Sequence, residues 1–210
     1  MATVKQQTKQ QVKQGEAVAD VRRDQMLVAA AHLIAERGFS DTRIADVADR
    51  VGASPALVIY YFRTKDSLLT EALRWSERSF YSGVEEMLQE TPSLRKRIEN
   101  LVDACLPASK DVPDDWGLWF DLWAQAFRHP EVKKDRAVLD QEWRDLITRV
   151  VQAGVDAREI KKVDVADFTI MWTALLDGLV IQLALEDPLV DAATGKRIAL
   201  GVAVKELGLR

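Results

Sequence analysis

Trp116, Trp119, Phe120, Trp123 and Phe127 crowd one short stretch of the chain, with Asp121 in its middle. At 3.6 residues per turn, Trp116, Trp119 (or Phe120), Trp123 and Phe127 fall on one helix face. A carboxylate beside aromatic faces holds organic cations, by charge on one side and by the ring quadrupole on the other. Phe168 and Trp172 repeat the theme on a second helix, with Asp177 further along it, and Trp75, Phe80, Tyr81 and Trp143 extend the aromatic set. Some of these rings must be ordinary core, because a pocket needs several of them incompletely packed against each other. Asp177 admits a second role. It precedes Gly178, whose missing side chain permits close helix approach, so it also suits a contact between subunits. A hydrophobic or aromatic ligand held by stacking is the other occupant that this set allows.

Catalytic chemistry finds little here. His32 and His129 lie far apart, Cys105 is the only cysteine, and no Gly-rich phosphate loop occurs. Neither a histidine- or cysteine-based metal centre nor a disulfide within the chain is expected. Asp114-Asp115 sits in a polar loop, where solvation explains it. The expectation is a protein that is not an enzyme and needs no cofactor.

The elements that must position these residues all read as helices. Apolar residues at three- and four-residue spacing (Val21, Met26, Leu27, Ala30, Leu33, Ile34) predict an amphipathic helix over 18–37, stopped by Gly38. A short helix follows over 43–50, with Thr42 as its expected N-cap. After the turn Val51-Gly52-Ala53, Ser54-Pro55 opens a third helix, with serine as cap and proline at the first helical position. Thr64 caps a long fourth helix over 65–89. Further helices are expected over 93–106, 114–128, 130 to 152 (with Val138 inward, ended by Ala153-Gly154-Val155), 165–186 and 191–208 (with Ile198, Val202 and Leu207 inward). Residues 165–186 are long and apolar, but Asp167, Asp177 and Glu186 interrupt them, and a charge near a bilayer centre is costly. A buried helix with one face against a partner subunit fits better than a membrane span. The last two helices packed on their symmetry mates would form a four-helix dimer interface.

Two short helices joined by a Gly-containing turn are the sequence form of a helix-turn-helix, in which the second helix enters a DNA major groove. Many all-helical proteins contain such a pair, so a helical protein-interaction module that never meets DNA stays open as the alternative. The third helix lacks Arg, Lys, Asn and Gln, the side chains of bidentate base reading. Ala56, Leu57 and Ile59 can instead pack on thymine methyl groups, and Tyr60 can reach a base edge or a phosphate. Periodicity puts Val58 and Phe62 inward. Lys65 lies in the first turn of the fourth helix, where exposed N–H groups favour an anion, and is the expected phosphate clamp. Thr42 and Ser54 sit at helix starts that also suit phosphates, and Arg43 divides between phosphate, groove and plain surface. Residues 1–17, with Lys5, Lys9 and Lys13, read as a disordered arm.

The run RGFSDTRIADVADRVGASPALVIYYFRTKDSLLTEAL over residues 37–73 resembles the DNA-binding signature of TetR-family regulators. The matching elements are Gly38-Phe39, Thr42, Ile44 with Val47-Ala48, Gly52-Ala53-Ser54, Tyr60-Tyr61-Phe62 before Lys65, and Leu68-Leu69. The Trp-rich segment 116–123, Phe127 before His129-Pro130-Glu131, and Leu176-Asp177-Gly178-Leu179 resemble the BetI-like subgroup. The resemblance implies an all-α fold of about nine helices: a three-helix helix-turn-helix domain (18–64) and a helical ligand-binding and dimerisation domain (65–210). It implies a homodimer on a palindromic operator in double-stranded DNA, released when a small molecule, cationic or aromatic, fills the second domain. Two positions depart from the family pattern. Ile59 stands where a phosphate-touching tyrosine is common, which passes that role to Tyr60 or Tyr61. Ala45 stands where a base-reading arginine is common, with Arg43 its nearest replacement.

Charge agrees with this division. Formal net charge is -4, yet residues 1–74 carry 11 Lys/Arg against 9 Asp/Glu, and the remainder carries 18 against 24. A weakly basic front and an acidic rear suit a short DNA reader joined to something else. With no apolar leader at the N-terminus, a cytoplasmic protein is expected.

Overall fold

A computed structural model describes the backbone of residues 2–106 and 115–209, and the side chains of 19–106, 116–130 and 132–209. Among the described residues there are nine helices: α1 Ala2–Arg37, α2 Ile44–Arg50, α3 Pro55–Phe62, α4 Lys65–Gln89, α5 Leu94–Cys105, α6 Asp115–Ala126, α7 Pro130–Asp156, α8 Val165–Ala184 and α9 Ala192–Leu207. The all-α expectation holds. Residues 2–17, expected as a disordered arm, continue α1 in the backbone. Their Lys- and Gln-rich sequence contains no proline and favours helix. What their side chains do lies outside the described residues.

The chain forms two compact units, residues 1–76 with 114–132, and residues 77–113 with 133–210. The division falls inside α4 and assigns α6 to the first unit; the sequence suggested an arm over 1–17 and domains over 18–64 and 65–210.

In the first unit α1 packs on α2 and α6, and α2 on α3. Met26, Ala30, Leu33 and Ile34 of α1, Val47 and Ala48 of α2, and Val58 and Phe62 of α3 are buried. The local signals work as expected at most boundaries. Gly38 closes α1 at φ +84°, a conformation that costs glycine nothing, and its N–H donates to the Ile34 carbonyl at 2.7 Å. Ser54 accepts from Leu57 N–H at 3.2 Å to cap α3, and Thr64 accepts from Ser67 N–H at 3.1 Å to cap α4. At α2 the cap is Arg43, not Thr42. The Arg43 N–H donates to Asp46 Oδ2 at 3.1 Å, while the wholly buried Thr42 hydroxyl donates to the Gly38 carbonyl at 2.9 Å. Arg23 ties the helices together, because it pairs with Glu71 of α4 and its guanidinium lies 5.1 Å from the Phe62 ring centre.

In the second unit α8 packs on α9, and α5 lies against both. Asp164 caps α8 and Asp191 caps α9 through the N–H groups of Asp167 and Thr194. The buried face of α9 is a stripe of small residues, Gly195, Ala199 and Ala203, which brings its backbone close to its neighbours. Ile198 and Val202, expected inward, are only half-buried, because that stripe takes the core-facing position. α7 runs to Asp156, through the expected stop at Ala153-Gly154-Val155. Gly154 serves packing here: a Cβ on it would overlap Leu94 Cδ2 of α5. Gly154→Val is therefore expected to lower unfolding free energy by about 1–3 kcal/mol in denaturant titration, as overpacked cores do. Val138, also expected inward, is exposed, and its neighbour Leu139 is buried instead.

α8 is the one described helix long and apolar enough to cross a membrane. Phe168, Trp172, Leu176, Leu179 and Val180 form its buried side. Ile170 and Met171 stay exposed on the other, and Cβ atoms on Gly178 and on Gly201 of α9 would meet nothing within 4 Å.

Candidate nucleic-acid interface and effector cluster

α3 is short, and its two faces differ sharply. Val58 and Phe62 are inside, whereas Ser54, Ala56, Ile59 and Tyr60 are exposed and Leu57 and Tyr61 half-buried. Tyr60 is 80% exposed, an unusual state for so large a ring unless a partner covers it. Its ring meets Tyr61 edge-on at 5.5 Å. Arg43 and Ala45 of the α2 segment are exposed too. Lys65 is half-buried, and its Nζ donates to the Ser40 carbonyl at 2.6 Å. A neutral carbonyl leaves that ammonium charge uncompensated, so the group can still serve an anion. Thr42 does not belong to this surface: its hydroxyl is spent on Gly38 inside the unit. Arg50, also exposed, is held by a two-bond pairing with Glu36 at 2.6 and 2.9 Å. Exposed Arg63 was missed in the sequence. It ends α3 at φ +66°, next to Lys65, and a left-handed arginine leaves no signal in a single sequence.

The aromatic residues separate by unit. Trp75 and the rings of α6 lie in the first, and Tyr81, Trp143, Phe168 and Trp172 in the second. Trp116 is buried core, Trp75, Trp119, Phe120 and Trp123 are half-buried, and Phe120 meets Trp123 at 5.8 Å. Phe127 is 92% exposed: α6 ends at Ala126, so the fourth position of the expected aromatic face is no longer helical. Asp121 has a structural role instead of an evident cation-binding one. Its Oδ2 accepts the Phe39 N–H at 2.9 Å and so secures the turn after α1.

Phe168 and Trp172 are stacked at 5.7 Å inside the core, and Trp172 Nε1 donates to the Ala199 carbonyl at 3.1 Å. They join α8 to α9 and present no open ring face.

What remains in the second unit is a mixed cluster. Tyr81 of α4 stacks on Trp143 of α7 at 5.3 Å and 18°, with Phe80 5.9 Å from Trp143. Glu77, one turn before Tyr81, is 2% exposed. Its Oε1 accepts the Tyr81 hydroxyl at 2.8 Å and pairs with Arg136, which also pairs with Asp140. Its Oε2 is buried with no hydrogen-bond partner. Burial raises the Glu77 carboxyl above the usual carboxylate range, and Arg136 opposes this. Burial also pushes Asp177 up to about 6, with Arg136 and Arg144 lowering it and Asp140 raising it. Asp177 thus belongs to the same electrostatic field as Arg136. Glu77 and Arg136 were missed in the sequence because a charged side chain is read as surface by default. The available signal was position: Glu77 is four residues after buried Leu73 and seven before buried Val84, on the apolar stripe of α4.

Two family models match the chain, one in its N-terminal and one in its C-terminal part. Residues 26–72 match the bacterial regulatory proteins of the tetR family, and residues 94–205 match the BetI-type transcriptional repressor C-terminal family. The HTH-type transcriptional regulator BetI of Stenotrophomonas maltophilia is 26% identical over 193 residues, covering 88% of this chain and 92% of the relative. The regulator of the same name from Escherichia coli is 27% identical, over 81% and 86%. A transcriptional regulator from Saccharomonospora viridis, solved in complex with choline, superposes with a TM-score of 0.77 at 26% identity, over 87% of this chain and 95% of that one. A TetR-family regulator from Rhodococcus sp. gives 0.76 at 24%, over 89% and 98%. A helix-turn-helix, a helical second unit and these matches make the protein a transcription regulator and not an enzyme, and it belongs to the TetR family, with a BetI-type repressor C-terminal part.

Proposed function

We propose that this regulator is a repressor that binds a palindromic operator as a homodimer and leaves it when an organic cation occupies the second unit. The observation that carries the DNA side is the exposed face of α3. Ala56, Ile59 and Tyr60 lie open on a helix whose other side is buried, and Lys65 stands at the start of the next helix. Ala56 and Ile59 pack on thymine methyl groups, Tyr60 reaches a base edge or phosphate, and Lys65 exchanges its Ser40 carbonyl for a phosphate oxygen. With so few base readers, operator choice leans on Arg43, Arg63 and DNA shape. The open sides of α8 and α9, with Ile170, Met171, Gly178 and Gly201, suit pairing with a second copy, which sets the spacing of the two reading heads. Such a protein works in the cytoplasm, where its DNA is.

The effector side rests on the cluster around Glu77. Glu77 and Asp140 pair with Arg136, Asp177 lies in the field of Arg136, Asp140 and Arg144, and the Tyr81 ring that bonds Glu77 stacks on Trp143. That leaves a formal excess of negative charge beside aromatic rings, which suits a bound cation. The similar Saccharomonospora regulator was solved with choline, which is a cation of this class. α4 carries both Lys65, in its first turn, and Glu77, at its midpoint. A 100-fold loss of operator affinity requires about 2.7 kcal/mol of preference for the non-binding arrangement.

The test is release of labelled upstream DNA followed by anisotropy. Choline and ethanolamine, titrated separately, are each compared with 3,3-dimethylbutan-1-ol, a neutral compound of similar shape to choline. At least one cation is expected to release DNA at concentrations at least tenfold below the neutral compound. Equal potency of all three would contradict a charge-based effector site.

A further inference from the structure

Glu77 is the least expected residue in the second unit. It is a carboxylate on the buried stripe of α4, and its two oxygens are unlike. Oε1 receives the Tyr81 hydroxyl and the Arg136 guanidinium, while Oε2, equally buried, receives nothing. A buried carboxylate oxygen without a donor is costly, and what relieves it is an N–H or O–H hydrogen, not bare charge. Arg136 is itself an N–H cation already seated on Glu77, and its other arm rests on Asp140. Tyr81, whose hydroxyl reaches Glu77, stacks on Trp143 of α7.

We infer that Glu77 is the recognition point of the effector and Arg136 its resident internal competitor, so that the effector is a cation bearing N–H groups, a protonated amine or guanidinium, in preference to a quaternary ammonium. An N–H cation satisfies Oε2, takes over Oε1 and frees Arg136 to stay with Asp140. A quaternary ammonium group offers only C–H to the same oxygens, which leaves Oε2 without a donor and Oε1 with the Tyr81 hydroxyl alone once Arg136 moves. Arg136 therefore sets both specificity and threshold. It holds α4 to α7 through Glu77 in the unliganded protein, and an incoming cation has to exceed that intramolecular pair. Glu77, Tyr81, Asp140, Trp143, Arg144 and Asp177 are the polar and aromatic groups that meet this exchange.

This inference rests on the organic-cation reading above, and the experiment separates the two. Binding to the full-length protein is measured by calorimetry with two pairs, ethanolamine against choline and benzylamine against benzyltrimethylammonium. The N–H member of each pair is expected to bind at least tenfold tighter, and Glu77→Gln is expected to abolish that preference. Methylguanidinium is expected to raise the melting temperature of Arg136→Met more than that of the wild type, and tetramethylammonium to do so for neither. Quaternary members that bind as tightly as their N–H partners would overturn this inference and leave the cationic effector standing. A preference that persists in Glu77→Gln would also overturn it. Absence of binding by every cation would overturn both readings. If Glu77→Gln does not fold, the two pairs measured on the wild type decide alone.

Discussion

Trp172→Ala is expected to lower the free energy of unfolding by about 3–5 kcal/mol, the range for removing a large buried aromatic. Trp172 is wholly buried, stacks on Phe168 and bonds the Ala199 carbonyl, so its loss removes packing and leaves that acceptor without this donor. In a chain of this size the melting temperature should fall on the order of 10 °C. Phe127→Ala offers the contrast. The ring is almost fully exposed, and its removal should change stability by less than about 0.5 kcal/mol. Thermal unfolding of both variants followed by circular dichroism checks the pair. Similar losses in both would mean that the aromatic face expected from spacing, and not the observed burial, describes these rings.

Arg136→Met is expected to cost a similar amount, about 3–5 kcal/mol, because it strands the Glu77 carboxylate in the core. Arg136→Met combined with Glu77→Gln should recover much of that loss, since the Glu77 charge is then no longer stranded in the core. The double-mutant cycle measures the coupling directly. The sign of the pH dependence follows. Burial already raises the Glu77 carboxyl above its unfolded value, and removing Arg136, which lowers it, raises it further. The folded state then binds the proton more tightly than the unfolded one. Arg136→Met should therefore regain stability as pH falls from the raised folded value toward the ordinary carboxylate range, and lose it as pH rises. Additive effects in the cycle, with no change in pH profile, would show that Glu77 is not the partner that needs Arg136.

The parts of the fold that were legible in the sequence are those written by neighbouring residues. Gly38, Ser54-Pro55 and Thr64 mark ends that depend on one turn of backbone, and the structure places ends there. Gly154 shows the limit. Ala-Gly-Val looks like a stop, but the glycine answers to Leu94 on another helix, which spacing along α7 does not reveal. Thr42 fails for a related reason. Two polar residues precede α2, and which one caps it depends on the Gly38 carbonyl within reach of the threonine. The two faces of α3 were readable, because the helix is short and its period divides Val58 and Phe62 from Ile59 and Tyr60. The packing of the aromatic residues in the second unit was not. Period places Phe168 and Trp172 on one face, but only the small stripe of α9 makes that face core. The same habit of sending charge to the surface concealed Glu77, Arg136 and their bonding with Tyr81.

The central claim is that α3 and Lys65 bind DNA, and the most direct test is anisotropy of labelled upstream DNA titrated with the purified dimer at several salt concentrations. Wild-type binding is expected in the nanomolar range, weakening steeply with salt as counterions return to the phosphates. Lys65→Ala should weaken it roughly uniformly across sequences and reduce the slope of log affinity against log salt by about 2 for the dimer, one phosphate per protomer. Tyr60→Ala should also weaken binding while the fold, judged by melting temperature, stays unchanged, because this ring is exposed. Operator binding that is unaffected by both substitutions, in proteins that remain folded and dimeric, would contradict the assignment of this surface.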